Sequence, residues 1–346
     1  MKTNNTRRRT WISILVIIGI VVVFLLLVDV GAVIDELRNA DWVYLGFAVV
    51  ALIIGYFIQT LRWRRLLGNF PPTKFTFHTM NISTFTSLLT FIPVTPIRVF
   101  FMGESDDVTI PQATSSLTLA IIFDWVMKIV ALLGALVLFA PVSSNAGTII
   151  LFIGVIVLIF AGILILVHNL ERIISWATPF FLRRVILKEE QVEGLFSGLA
   201  QGLKGVGSTK QVALIFLISL AAWTFFIIFY ILGLLAFNID LQPEVMLATV
   251  LVAAFLVNPS GPYLPGVFNV LLVVPMALVS GADIEALVAY SIVIYAVLLV
   301  IWLLLGIWAM RMYKLSFNEL RERAREGFEI VRQVQEATSN ETPGHQ

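Results

Sequence analysis

The chain has 346 residues, 59% of them hydrophobic and 13% charged, with a formal net charge of +1 and a mean hydropathy of +0.95. A soluble domain averages about 45–50% apolar and about 25% charged residues, so a water-soluble globule and a disordered chain are both excluded, leaving a polytopic membrane protein. There is no cysteine, which excludes a disulfide framework, a thiolate metal site and a cysteine nucleophile.

A transmembrane helix needs roughly 20 apolar residues. The first such run is Trp11–Val28, after Lys2, Arg7, Arg8 and Arg9. It is too long for a signal-peptide core and lacks a small-residue cleavage site, so it reads as an uncleaved anchor. Further spans are expected at about Val43–Thr60, Pro111–Phe139, Thr148–Val167, Val212–Phe237 and Ala286–Met310.

Two other apolar stretches are interrupted. His78–Met102 is broken around Pro93 and Pro96, and Val245–Val279 around Asn258, Pro259, Ser260, Gly261, Pro262, Pro265 and Gly266. Proline removes an amide donor and clashes with the preceding turn, so several within a few residues end a helix. Each stretch therefore reads as two half-helices joined by irregular backbone.

Charge orients the chain, because Lys and Arg mark cytoplasmic loops. If both broken stretches return to their side of origin, 20 of the 23 basic residues fall on one side, among them Arg62, Arg64, Arg65 and Lys74. An odd crossing by either stretch would destroy that asymmetry. The expected fold is all-α and polytopic, with about six full transmembrane helices, two re-entrant broken hairpins and cytoplasmic termini. The repeats about 43–139 and 212–310 are then related by inversion, as in many secondary transporters. This membrane domain occupies 1–315.

Two segments lie outside the spans. Lys188–Gln211 carries Val192, Leu195, Phe196 and Leu199 on one face, predicting a surface amphipathic helix at about 188–205. Ser316 and Glu319 form a capping box. They open an amphipathic cytoplasmic helix over 316–338, which packs on the protein or pairs with itself. Residues 339–346 read as a disordered tail.

The chemistry falls on few residues. Arg98 follows the first break and needs an anion: Asp124, Glu104 or a lipid phosphate. The alternative is that it snorkels to the headgroups. Asp124 and Lys128 are four apart inside a span, on one helical face. They form either a self-neutralised structural pair or a polar station on a transport path. Asn258, Ser260, Tyr263 and Asn269 offer uncharged hydrogen-bonding groups at the second break, and free amides near Gly266 attract anions. The alternative role for these is to satisfy the broken backbone. No phosphate-binding GxxxxGK[ST] loop and no GxSxG elbow is present, so no ATP-driven step and no enzymatic activity is expected. No metal or cofactor site is expected either.

With these residues laid out, the chain resembles the lysylphosphatidylglycerol synthase transmembrane-domain family, the flippase-like membrane proteins. The resemblance rests on Leu61-Arg62-Trp63-Arg64-Arg65-Leu66-Leu67, on the proline break followed by Arg98, on Asp124 in the next span, and on the Pro259–Phe268 segment. It covers about residues 10–310. Asn269 stands where the family carries an acid, and Trp125 where an arginine commonly follows the acid. The first break, Val94–Ile97, lacks the usual glycines. These departures point to a different lipid or to lost transport. The soluble aminoacyl-transferase domain of some members is absent, so lipid aminoacylation is not implied.

The resemblance and the residues together give the expected function. It is a multi-pass protein of the cell membrane that translocates a phospholipid or lipid-linked headgroup through a cleft between the hairpins. Arg62, Trp63, Arg64 and Arg65 are expected at the cytoplasmic interface. The alternatives are a secondary transporter of a small anion or precursor, and a scaffold subunit without transport. The expected partners are membrane lipids with anionic or phosphate-containing headgroups, and a protein or second copy met by the C-terminal helix; nucleic acid is not among them.

Overall fold

A computed structural model describes residues 30–68, 71–90, 92–105, 107–139, 209–257 and 261–323, with isolated positions beyond them. The spans expected at Trp11–Val28 and Thr148–Val167, the surface helix at 188–205, and Asn258, Pro259 and Ser260 lie outside the described residues. The ordered elements are α1 (Val30–Asn39), α2 (Trp42–Leu66), α3 (Thr73–Thr90), α4 (Val94–Gly103), α5 (Ile110–Phe139), α6 (Thr209–Ala236), α7 (Pro243–Leu256), α8 (Pro265–Ser280) and α9 (Ile284–Met312). Among the described residues there is no strand.

Four helices, α2, α5, α6 and α9, are long and apolar enough to cross a membrane. Their outer faces carry large apolar side chains such as Trp42, Phe47, Trp125, Leu136 and Leu217, each more than half exposed. Such an exterior is costly in water and ordinary in lipid. By contrast α4, α7 and α8 have 10, 14 and 16 residues. At about 1.5 Å per residue each is shorter than the roughly 30 Å hydrocarbon layer.

Caps and breaks follow local chemistry. The Asp41 carboxylate accepts from Val43 N at 2.8 Å and opens α2, and Asp283 opens α9 in the same way. Gly281 ends α8 with φ +64°, a left-handed conformation that favours glycine. The two breaks are narrower than the sequence predicts. Pro96, Pro265 and Gly266 belong to the first turns of α4 and α8. Amides there have no acceptor in their own helix, so proline sacrifices nothing.

Helix α3 is rich in hydroxyls yet mostly buried. Thr84, Thr86 and Thr90 bond back to the carbonyls four residues earlier, at 3.0, 2.7 and 2.7 Å, which keeps these groups satisfied away from water. At the first break Ser87 Oγ donates to Ile92 O at 2.7 Å. At the second, Tyr230 OH donates to Val257 O at 3.0 Å and Tyr295 OH to Tyr263 O at 2.9 Å. Irregular backbone in both places is thus served by protein hydroxyls, as a dry setting demands.

The packing has a pattern. α2 and α6 run antiparallel, with Asp41 N donating to Ala236 O at 2.7 Å and Arg62 Nη1 lying 3.4 Å from Ser219 Oγ. α3 packs on α9, and α7 packs on α5. Each short helix packs on its neighbour, α3 with α4 and α7 with α8. Exchanging α2–α5 for α6–α9 leaves these main partnerships unchanged. At the end of the bundle where α2 stops and α5 starts, Gln112 Nε2 donates to Leu67 O; α2 starts and α6 stops at the opposite end. The first end carries Arg64, Arg65, Lys74, Lys210, Arg311 and Lys314, together with Glu104 and Asp107. The second carries Asp35, Glu36, Asp41, Asp240, Glu244, Asp283 and Glu285, with Arg38.

After α9 the chain turns at Lys314, φ +53°, and becomes helical again at Phe317. The capping box forms as expected: Ser316 N donates to Glu319 Oε2 at 2.7 Å, and Glu319 N to Ser316 Oγ at 3.3 Å. Arg323 Nη1 then reaches both Glu104 oxygens, at 2.6 and 2.8 Å, and ties this helix to the end of α4.

Burial pushes the Glu104 carboxyl above its ordinary range, Arg323 opposes, and Glu326 adds to the rise. A raised pKa makes the contribution of Glu104 to stability complete below the ordinary glutamate value and lost as pH climbs through the raised one. Glu104→Gln, which cannot ionise, should therefore gain thermal midpoint over wild type between acidic and neutral pH. The half-exposed pair limits that gain to about a degree or two. Midpoints measured against pH in detergent check this; a variant weaker than wild type only at neutral pH would mean that the Arg323 attraction wins.

Candidate functional site

The polar centre of the bundle is assembled from α2, α3, α4, α5, α6 and α9. Arg62 projects inward from α2, its side chain only 2% exposed, and its Nη1 lies 2.7 Å from Asp124 Oδ1 on α5. The same nitrogen approaches Ser219 Oγ on α6. One residue on, Trp63 is buried and its indole N–H donates to Ser116 Oγ at 3.0 Å. Arg62 and Trp63, expected at the cytoplasmic interface, therefore face the interior. Arg65 is exposed and Arg64 half-buried, with Arg64 Nε donating to Pro71 O at 2.7 Å. Successive helical residues are about 100° apart, so a run of arginines cannot all face one way.

Arg98 comes in from α4. Its Nη2 lies 3.4 Å from Thr84 Oγ1, and its guanidinium carbon stands 5.8 Å from the centre of the Trp63 ring, within cation–π range. Arg98 feels the attraction of Asp124 and the repulsion of Arg62. Lys128 also feels Asp124, while its ammonium sits 5.2 Å from the centre of the Trp125 ring. The local Asp124–Lys128 pairing gives way to the Arg62–Asp124 ion pair, closed across 62 residues of chain. Arg62 thus contacts Asp124 directly, with Arg98 and Lys128 in the same neighbourhood, and the Nε atoms of Arg62 and Arg98 are buried with no hydrogen-bond partner.

Beside Arg98 is a small cavity between α2, α3 and α9, walled by Tyr56, Gln59, Thr60, Asn81, Thr84 and Trp302 among others. About 10 Å³ of it is open to the centre of a water molecule, which is room for one. Gln59 Oε1 is buried there without a partner. Trp302 Nε1 donates to Tyr56 OH at 2.7 Å, and Asn81 Nδ2 to Phe77 O at 2.8 Å. Gln59, Asn81, Thr84 and Trp302 were not singled out from the sequence. The hydroxyl-rich run of α3, too polar for a lipid-facing helix, was the signal available.

The second break contributes separately. Tyr263 offers its carbonyl to Tyr295 and its ring lies 6.1 Å from that of Phe268. Asn269 Oδ1 on α8 is buried without a partner. These residues sit on the α8–α9 side, whereas Arg98, Asp124 and Lys128 gather around Arg62. Among the described residues no group of three or more His, Asp or Glu side chains comes together as a metal site would require.

Neither a curated protein nor a solved structure matches the chain. The profile of one family, the lysylphosphatidylglycerol synthase TM region, matches residues 10–306. That span includes Arg62, Arg98, Asp124 and Lys128 together with both helix breaks, three of the four long apolar helices and most of the fourth, α9. The chain is a multi-pass membrane protein with a lipid-related function, and it belongs to the lysylphosphatidylglycerol synthase transmembrane-region family.

Proposed function

We propose that this protein is a lipid translocase of the cell membrane, and that Arg62, Arg98, Lys128 and Asp124 form the station at which a phosphate-bearing headgroup is held. The observation that carries the reading is the surplus of positive charge. A structural ion pair in an apolar bundle needs one cation for one carboxylate. A second and third cation only add desolvation and repulsion, unless an anion from outside joins them. A phosphate headgroup has the matching need, because it cannot cross hydrocarbon without replacing its hydration.

In this reading the basic end of the bundle is cytoplasmic. Helices α3 and α4 are a re-entrant hairpin from that side, α7 and α8 one from the other side, and the two halves an inverted repeat. The cavity, with room for one water, is then the closed form. The headgroup is admitted when α3–α4 parts from α9, while the acyl tails stay in the bilayer. With no nucleotide-binding loop, movement is downhill or ion-coupled, and the protein performs no covalent chemistry.

The test is reconstitution in liposomes with a fluorescent phospholipid whose transfer between leaflets is followed. Arg98→Gln is the informative variant. It leaves the Arg62–Asp124 pair in place and removes a repulsion, so the thermal midpoint should hold or rise. Transfer should slow by about tenfold or more, the loss expected when a charged contact to a bound anion goes. Transfer at the wild-type rate would remove Arg98 from the path.

The size of the cavity favours one other reading, carriage of a small soluble anion. Uptake of free phosphate by proteoliposomes that move no lipid would establish it.

A further inference from the structure

A second cavity, of about 530 Å³, lies where the last turn of α3 meets the first turns of the C-terminal helix. Its volume is in the range of ordinary ligand sites. Leu89, Ile92, Phe317 and Leu320 form its apolar wall, with Arg321 and Arg325 on the rim. Among the described residues no carboxylate lines it. The two arginines are four residues apart on one helix and so share a face.

Leu89 and Phe317 are 48% and 56% exposed, so apolar surface continues from the groove into the surroundings. The floor is firm. Phe85 and Phe317 have ring centres 6.0 Å apart, and Ile82, Ile97 and Leu320 are buried in the same cluster. The capping box and the Arg323–Glu104 pair hold the helix in place from its other side. Both arginines lie beyond residue 306, where the family match ends.

We propose that this groove retains one anionic phospholipid, with its phosphate between Arg321 and Arg325 and an acyl chain along Leu89, Ile92 and Phe317. The argument for a lipid is complementarity of two kinds at once. Paired guanidiniums recognise phosphate, and a half-exposed apolar wall beside them suits a hydrocarbon chain and nothing fully soluble. A lipid seated here bridges the hairpin tip and the C-terminal helix, and so helps to hold that helix on the membrane domain. The proposal needs only the membrane setting and is independent of transport.

The full-length protein is released from nanodiscs of phosphatidylcholine doped with phosphatidic acid, and retained lipid is counted by native mass spectrometry. Wild type should keep one phosphatidic acid in preference to phosphatidylcholine. Arg321→Gln/Arg325→Gln should reduce that retention about thirtyfold, as two basic contacts at the membrane surface imply. Leu89→Trp, which leaves both charges and fills the groove, should displace the lipid as well. Lys74→Gln, at an exposed basic residue outside the groove, should leave retention unchanged.

Three results would overturn the proposal. Equal retention by the double arginine variant would mean that the site is elsewhere. Competition by glycerol 3-phosphate as strong as by the lipid would mean a free-anion site. A double arginine variant that shifts the dimer fraction, with lipid retention intact, would make the groove a contact between copies.

Discussion

Asp124→Asn should be the most destabilising single change in the polar centre. Among the described residues the Asp124 carboxylate is the anion paired with Arg62, whose side chain is 2% exposed, while that of Asp124 is 22% exposed. Neutralising it strands a buried guanidinium and leaves the repulsion from Arg98 unbalanced. Breaking a buried pair from one side costs about 3–5 kcal/mol, and the partial exposure of Asp124 places this case near 3.

The companion is Arg62→Met/Asp124→Leu, which removes both charges. Apolar replacement of a whole buried pair is often neutral or better, so the double variant should recover most of the lost midpoint, and a double-mutant cycle isolates the coupling. Lipid transfer should stay low in both, since neither keeps the charged station. Melting in detergent together with transfer in liposomes reads the two effects separately. A single variant as stable as wild type would show that the pair is not the support of the α2–α5 junction.

What the sequence could reveal depends on the range of the force involved. The long helices are one-dimensional facts: a run of apolar residues has one economical fate, and α2, α5, α6 and α9 lie within a few residues of where hydropathy puts them. The breaks were legible because several prolines within a few residues end a helix, whereas the single Pro275 lies inside α8. Their edges were not, because Pro96 and Pro265 are equally at home at a helix start, and composition does not separate the two uses.

The polar centre was half legible. An arginine, an aspartate and a lysine in apolar surroundings announce themselves by cost, but their partners are settled by packing between distant segments. Arg62 is hidden in a basic run whose other members face outward, and only the approach of α5 and Ser219 turns it into an interior residue. The four-residue spacing of Asp124 and Lys128 is a local rule, and a shorter, better-buried contact from another helix overrides it. The polar face of α3 is a similar case. Its hydroxyls are satisfied within the helix, so nothing in their spacing indicates that they line a cavity opposite Gln59 and Trp302.

Gly306→Ala should be the second large effect, for a different reason. A Cβ at Gly306 would lie 2.3 Å from the Cβ of Phe85 and 2.5 Å from its Cγ. The first of those atoms is fixed to the backbone of α3, so no rotamer change relieves the clash and the helices must separate. Overpacking of this kind costs about 1–3 kcal/mol. Gly46, in α2, is the control: a Cβ there meets nothing within 4 Å, so Gly46→Ala should gain up to about 1 kcal/mol from helix propensity.

The α3–α9 contact also closes the cavity beside Arg98, through Trp302 and the α3 residues Asn81 and Thr84. Gly306→Ala should therefore shift the resting protein toward the open arrangement. Hydrogen exchange in α3 should rise, and Trp302 should become more accessible to a soluble quencher. If Gly306→Ala melts where Gly46→Ala does, the two helices are already apart in the membrane, and the small closed cavity is not the resting form.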